Sequence, residues 1–183
     1  GADRRRSPAG APRLIAWRIS RAAFADLSGT GARLYGGRWN SPGRAMIYAA
    51  EAAALAVLEV RVHLDLTPDL LPDDYVLTGI ALDGLAVETL DTLPEAPQAL
   101  GDAWLAEART PVLRVPSFIV PESFNLLVNP AHPAAAALSI ANQRPFRFDE
   151  RLWLPARLGM APRQRAAAPS PRRMKAKEFV LPI

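Results

Sequence analysis

The run "LYGGRWNSPGRAMIYAAEAAALAVLEVRVHL", residues 34–64, holds a loop, a strand and a helix in direct succession. "AMIYA" (45–49) is short and apolar with a branched and an aromatic residue, which predicts a buried strand. "EAAALAVLEVRVHL" (51–64) is rich in strong helix formers and forms the clearest helical segment of the chain. Ahead of both, "SGTGARLYGGRWNSPG" (28–43) carries five glycines and a proline, so it is expected to be mostly loop.

Outward from this unit, "RLIAWRI" (13–19) reads as a strand and "SRAAFADL" (20–27) as a short helix capped by Ser20. Further strands are expected at 75–82, 111–115 and 124–129, with a helix over 97–108 between the first two. "RPFRFDERLW" (144–153) reads as a closing strand or hairpin. Strands and helices are intermixed without regular strand–helix–strand alternation, which favours an α+β fold over a doubly wound parallel sheet. With 183 residues, half of them hydrophobic, the chain suffices for one domain with a substantial core. Residues 1–13 read as a flexible arm, 14–154 as the domain, and 155–183 as a basic tail rich in Pro, Ala and Arg.

Composition narrows the function classes. There is no cysteine and there are two histidines, His63 and His132, which is poor material for a metal site. No apolar run approaches the roughly 20 residues that span a bilayer, and Arg4, Arg5 and Arg6 are not followed by the apolar segment of a signal peptide. A cytoplasmic, metal-free protein is expected. The net charge of +4 is carried by the ends: +3 over 1–13 and +6 over 152–183, against −5 over 14–151. A domain that tracks phosphate backbones would place the positive charge on its body.

Three places offer chemistry. Leu55, Leu58 and Val62 form an apolar stripe at helical spacing, and Glu59 lies beside it. A carboxylate so placed is paired, neutralised or used, and pairing with Arg61 or Arg33 at the surface is the commoner arrangement. Gly36 and Gly37 let a ligand approach the main chain, and Arg38 offers a planar donor fork for phosphate or carboxylate. Trp39 is expected beneath this loop and Asn40 to tie it. "GTGARL" lacks the third glycine of the dinucleotide fingerprint, and there is no P-loop. In "RVPSFIVPESFNLLVNP" (114–130), Ser117 has no nucleophile elbow around it, and His132 is the only base near it in sequence. Ser117 therefore reads as a hydrogen-bonding group or a turn residue.

Taken together, "WRI", "GGRWNSPGRAMIYAAEAAALAVLE", "VPSFIVPESFNLLVNP" and "FRFDERLW", in this order, resemble the RES domain, the toxin half of a bacterial toxin–antitoxin family. The resemblance implies an ADP-ribosyltransferase-like fold, with a split antiparallel β core flanked by helices, that acts on NAD+ as substrate without a metal. It implies Glu59 as the catalytic carboxylate and Arg18 and Arg38 as substrate-binding arginines. It further implies Tyr48 as an aromatic wall, Ser117 as the serine of the family's name, and Asn40 near the cofactor. The expected reaction cleaves the nicotinamide–ribose bond and passes ADP-ribose to a protein target, to phosphate or to water, arresting growth. The expected partner is an Xre-type antitoxin, with no direct contact to nucleic acid or membrane. A rival reading is a nucleic-acid-binding or interaction module that works through its basic tails without enzymatic activity.

Overall fold

The structure, a computed structural model, describes residues 14–153; the expected arm over 1–13 and the basic tail over 155–183 lie outside these residues. Seven strands form one mixed sheet: β1 (Ile15–Arg21), β2 (Ile47–Ala50), β3 (Tyr75–Ala81), β4 (Val87–Thr89), β5 (Val112–Pro116), β6 (Phe124–Val128) and β7 (Ser139–Pro145). Their spatial order is β4-β5-β6-β2-β1-β3-β7. The expected α+β class and helix-flanked sheet hold, with one refinement. β4, which the sequence reading missed, pairs parallel to β5, so the core is not wholly antiparallel. The two halves of the sheet meet at β1 and β2 through the register pair Trp17 and Ala50.

Alternation along the strands sorts the core onto two faces. Tyr48, Leu113, Val115 and Leu127 pack with Trp39 and Trp104, beneath α1 (Thr30–Tyr35) and α3 (Pro97–Glu107). On that same face Ile19, Ala50 and Leu77 pack against α2 (Ala53–Arg61) through Leu55, Ala56 and Val60. The opposite face carries Ala16, Ile47, Ala49, Ile80, Leu126 and Val128, covered by Leu27, Leu85 and Leu138 from connecting segments.

Three local expectations are corrected and one is refined. Residues 20–27 are not a helix capped by Ser20: β1 continues to Arg21 and a single 3-10 turn follows over Ala22–Phe24. The Gly-rich segment is mostly loop as expected, but Thr30–Tyr35 within it closes into α1, which ends at Gly36 (φ 69°). The closing strand is β7, which starts earlier and overlaps 144–153 only at Arg144 and Pro145, and a 3-10 turn over Glu150–Leu152 is the other regular element in that range. Finally, α2 is rotated relative to the expected stripe. It buries Leu55, Ala56, Glu59 and Val60 and leaves Leu58 and Val62 exposed. Glu59 thus faces the sheet.

Candidate active site

Three elements assemble around the Glu59 carboxylate. α2 brings it to the sheet, the end of β5 supplies Ser117, and β6 supplies Asn125, register partner of Val115. Ser117 Oγ donates to Glu59 Oε1 at 2.6 Å, and Asn125 Nδ2 donates to the same oxygen at 2.7 Å. Glu59 is 3% exposed. No described residue donates a hydrogen bond to its Oε2, and neither Arg61 nor Arg33 pairs with it. Arg61 instead donates to the Leu152 carbonyl and stacks on Trp153. A buried carboxylate needs hydrogen bonds to offset lost hydration; here two neutral donors supply them and leave its charge uncancelled.

Ser117 is fully committed. Its hydroxyl hydrogen goes to Glu59, and its oxygen accepts from Ile119 N at 3.0 Å and Val120 N at 3.1 Å. That exhausts one donor and two lone pairs. The candidate base of the sequence reading, His132, is occupied elsewhere, its Nδ1 accepting from Ala134 N at 3.0 Å. In the structure Ser117 thus stands as a hydrogen-bonding group between Glu59 and the backbone of 119–120. Asn125 matters more than the sequence reading allowed. Its NH2 must face the carboxylate, which fixes the amide orientation, and its buried Oδ1 accepts from no described group.

Arg38 stands on a loop whose backbone is tied down on all sides. Asn40, fully buried, donates from Nδ2 to the carbonyls of Ala32 and Arg44, both at 2.9 Å. Tyr48 donates its hydroxyl to Asn40 Oδ1 at 2.6 Å and accepts from Trp39 N at 3.0 Å. From α3, Gln98 Nε2 donates to the Gly37 carbonyl at 3.1 Å, while Asp102 accepts from Ser41 N at 2.9 Å. Asn40 therefore ties the loop as expected. Tyr48 does not form a cleft wall: it is a core residue, and burial raises the pKa of its phenol, keeping it a neutral donor. The Arg38 guanidinium itself is exposed and lies 4.1 Å from the centroid of the Phe118 ring.

The described contacts do not join Arg18 to this group. It pairs in register with Thr78, on the face opposite Ile19 and Leu77 where α2 packs. It is 8% exposed, and Nη1 donates to the Asp26 carbonyl at 3.0 Å. Burial lowers its pKa to about 10, partly opposed by Asp26, so the charge persists at neutral pH.

His63 was passed over in the sequence. It follows Glu59 by four positions, the spacing that places two residues on one helical face, and that spacing was the available signal. Half-buried, its imidazole is held below the usual pKa by burial, with Glu59 acting to raise it and Arg38 to lower it. It shares the electrostatic neighbourhood of both. Among the described residues no group of three or more His, Asp or Glu is gathered as a metal would require, and no helix is long and apolar enough to cross a membrane.

The chain is similar to known proteins. The family described as RES domain matches residues 15–149. A protein of a Sphingobium species named Prs ADP-ribosylating toxin is 39% identical over 152 residues, covering 74% of this chain and 94% of that protein. A Pseudomonas putida protein named Toxin Res is 40% identical over 148 residues, covering 76% of this chain and 100% of that one. Among solved structures, the M. tuberculosis MbcT–MbcA toxin–antitoxin complex contains a chain that superposes with a TM-score of 0.62 at 25% identity, covering 74% of this chain and 85% of that chain.

Proposed function

This chain belongs to the RES domain family, and from that premise we propose that it is the toxin of a toxin–antitoxin pair and cleaves the nicotinamide–ribose bond of NAD+. The observation that carries this reading is the Glu59 carboxylate, buried, held on one oxygen by Ser117 and Asn125, and hydrogen-bonded by no cation among the described residues.

In the reaction, the bond between the nicotinamide nitrogen and ribose C1′ breaks and its electron pair leaves with nicotinamide, which departs neutral. C1′ becomes electron-deficient, and an acceptor oxygen then forms the new bond there. A fixed anion beside C1′ stabilises the developing positive charge most in the transition state. Glu59 Oε2 fills that role because Oε1 is already engaged. Ser117 and Asn125 keep the carboxylate from rotating, so little reorganisation is needed when the charge appears. Arg38, on its pinned loop, holds the pyrophosphate. Arg18, on the opposite face of the sheet and bonded to the Asp26 carbonyl, takes no part in holding the phosphates in this reading. Tyr48 and Asn40 act through the loop that they hold.

ADP-ribose passes to a protein side chain in this reading, in line with the name of the Sphingobium relative. Phosphate and water are the competing acceptors, which share the first bond cleavage. The partner is an antitoxin, a reading supported by the toxin–antitoxin complex of the structural neighbour, and its Xre type is our proposal from the family resemblance. The antitoxin blocks turnover by laying a segment into the cleft near the exposed Arg38. An antitoxin truncated at its C-terminal end would then fail to inhibit.

The test is nicotinamide release from NAD+ by the purified chain, with and without phosphate, beside Glu59→Gln and with labelled NAD+ in a cell lysate. Release abolished by Glu59→Gln in a folded protein supports the reading. Full release by that variant overturns the role of Glu59. A phosphate requirement would move the acceptor from protein to phosphate.

A further inference from the structure

The arginine of the pinned loop has a secure backbone and an unsecured side chain. No described carboxylate, carbonyl or hydroxyl accepts a hydrogen bond from the Arg38 guanidinium; its one recorded contact is the face of Phe118, with Cζ 4.1 Å from the ring centroid. Phe118 is 41% exposed and lies outside the core clusters. An aromatic ring so exposed, immediately after a fully buried serine, calls for an explanation other than packing.

Its place in the chain supplies one. Phe118 follows Ser117, the residue that donates to Glu59 and whose oxygen fixes the turn by accepting from Ile119 and Val120. The ring is therefore held relative to the Glu59 carboxylate by a rigid turn, and the guanidinium is held relative to the ring. A guanidinium stacked on an aromatic face keeps its N–H edges directed outward, free for two parallel bonds to an anion. The contacts form one line from Arg38 through Phe118 and Ser117 to Glu59.

We propose that Phe118 is a positioning residue for substrate, its ring holding the Arg38 guanidinium at a set reach from Glu59 so that the anionic part of the dinucleotide and its glycosidic carbon are engaged together. This rests on the reading of the site as NAD+-cleaving, so the experiment carries two readouts. One is binding of ADP, a diphosphate probe that cannot be turned over, measured by calorimetry. The other is nicotinamide release from NAD+ with KM and kcat separated. Both are applied to wild type, Phe118→Ala, Phe118→Leu, Phe118→Trp, Arg38→Ala and the double variant Phe118→Ala/Arg38→Ala.

Loss of the cation–π contact at an exposed site corresponds to about a two- to five-fold weakening. Phe118→Ala and Phe118→Leu should weaken ADP binding and raise KM by that factor with kcat nearly unchanged. Phe118→Trp should restore both. On the Arg38→Ala background, Phe118→Ala should add nothing, because the ring has no cation left to hold. A Leu variant equal to wild type, additive effects in the double variant, or no ADP binding by wild type would each overturn the proposal. Coupled loss of ADP binding without nicotinamide release, either by the purified chain or in cell lysate, would leave Phe118 its role and overturn the NAD+-cleaving reading instead.

Discussion

Ser117 and Glu59, 58 positions apart in the chain, are joined by a 2.6 Å hydrogen bond inside the protein, and Asn125 donates to the same carboxylate oxygen at 2.7 Å. A hydrogen bond to a charged group is worth about 1.5–3 kcal/mol. Where that bond fixes a group acting in the transition state, its loss corresponds to roughly ten-fold or more in rate. Ser117→Ala and Asn125→Ala are each expected to lower kcat for nicotinamide release by at least about ten-fold. Since both act on Oε1, the double variant should fall short of the product of the single effects. Steady-state rates of the three variants test this, and strict additivity would mean that the two donors work independently.

Tyr48→Phe separates a scaffold from a substrate wall. The variant keeps the ring but removes a donor to Asn40 Oδ1 and an acceptor for Trp39 N. Two buried polar groups left unsatisfied cost about 1–3 kcal/mol each. The expected result is a clear drop in Tm with a raised KM for NAD+, because the loop bearing Arg38 loosens. Unchanged stability with altered turnover would return Tyr48 to direct substrate contact.

Gly101 sets how closely α3 approaches the same loop. A Cβ there would drive into the carbonyl of Trp39, which is backbone and cannot swing aside. Gly101→Ala should therefore displace the loop or α3, with an overpacking cost of about 1–3 kcal/mol read as lower stability to denaturant. Activity should fall further than that loss alone accounts for, since Gln98 and Asp102 hold the loop from the same helix. A variant as stable and active as wild type would show that α3 does not position the site.

The residue types at the site were legible in the sequence, while their arrangement was much less so. The rotation of α2 illustrates the difference. Ala52, Ala53, Ala54 and Ala56 make the helix weakly apolar on most sides, so spacing favoured Leu55, Leu58 and Val62 as the buried stripe. The face that is buried is the one bearing Glu59, and its partners Ser117 and Asn125 arrive from strands distant in sequence. α1 was hidden for another reason. Six residues are too few to nucleate a helix alone, and it opens at Gly29 without a side-chain cap. Tertiary contact completes it, through Asn40 Nδ2 on the Ala32 carbonyl. β7 carries no periodic signal because all seven of its residues are exposed, and its pairing with β3 alone makes it a strand. Phe118, between the strands expected at 111–115 and 124–129, had no assigned role until the Arg38 contact was visible.

His63 gives the site a pH signature. Burial holds its folded pKa below the ordinary 6.5; Arg38 lowers it further, while Glu59 and Asp65 act in the opposite sense without cancelling the shift. Above 6.5 the imidazole is neutral in folded and unfolded chains alike, so it contributes no pH dependence there. As pH falls through 6.5 the unfolded chain takes up a proton that the folded chain refuses, and stability is lost until the folded value is reached. His63→Gln removes this group alone from the titration. The Tm of wild type relative to His63→Gln should be constant from pH 8 to 7 and decline as pH falls from about 6.5 towards 5, close to the model-peptide value for histidine. Parallel Tm profiles across that range would mean that His63 is protonated as easily in the fold as outside it.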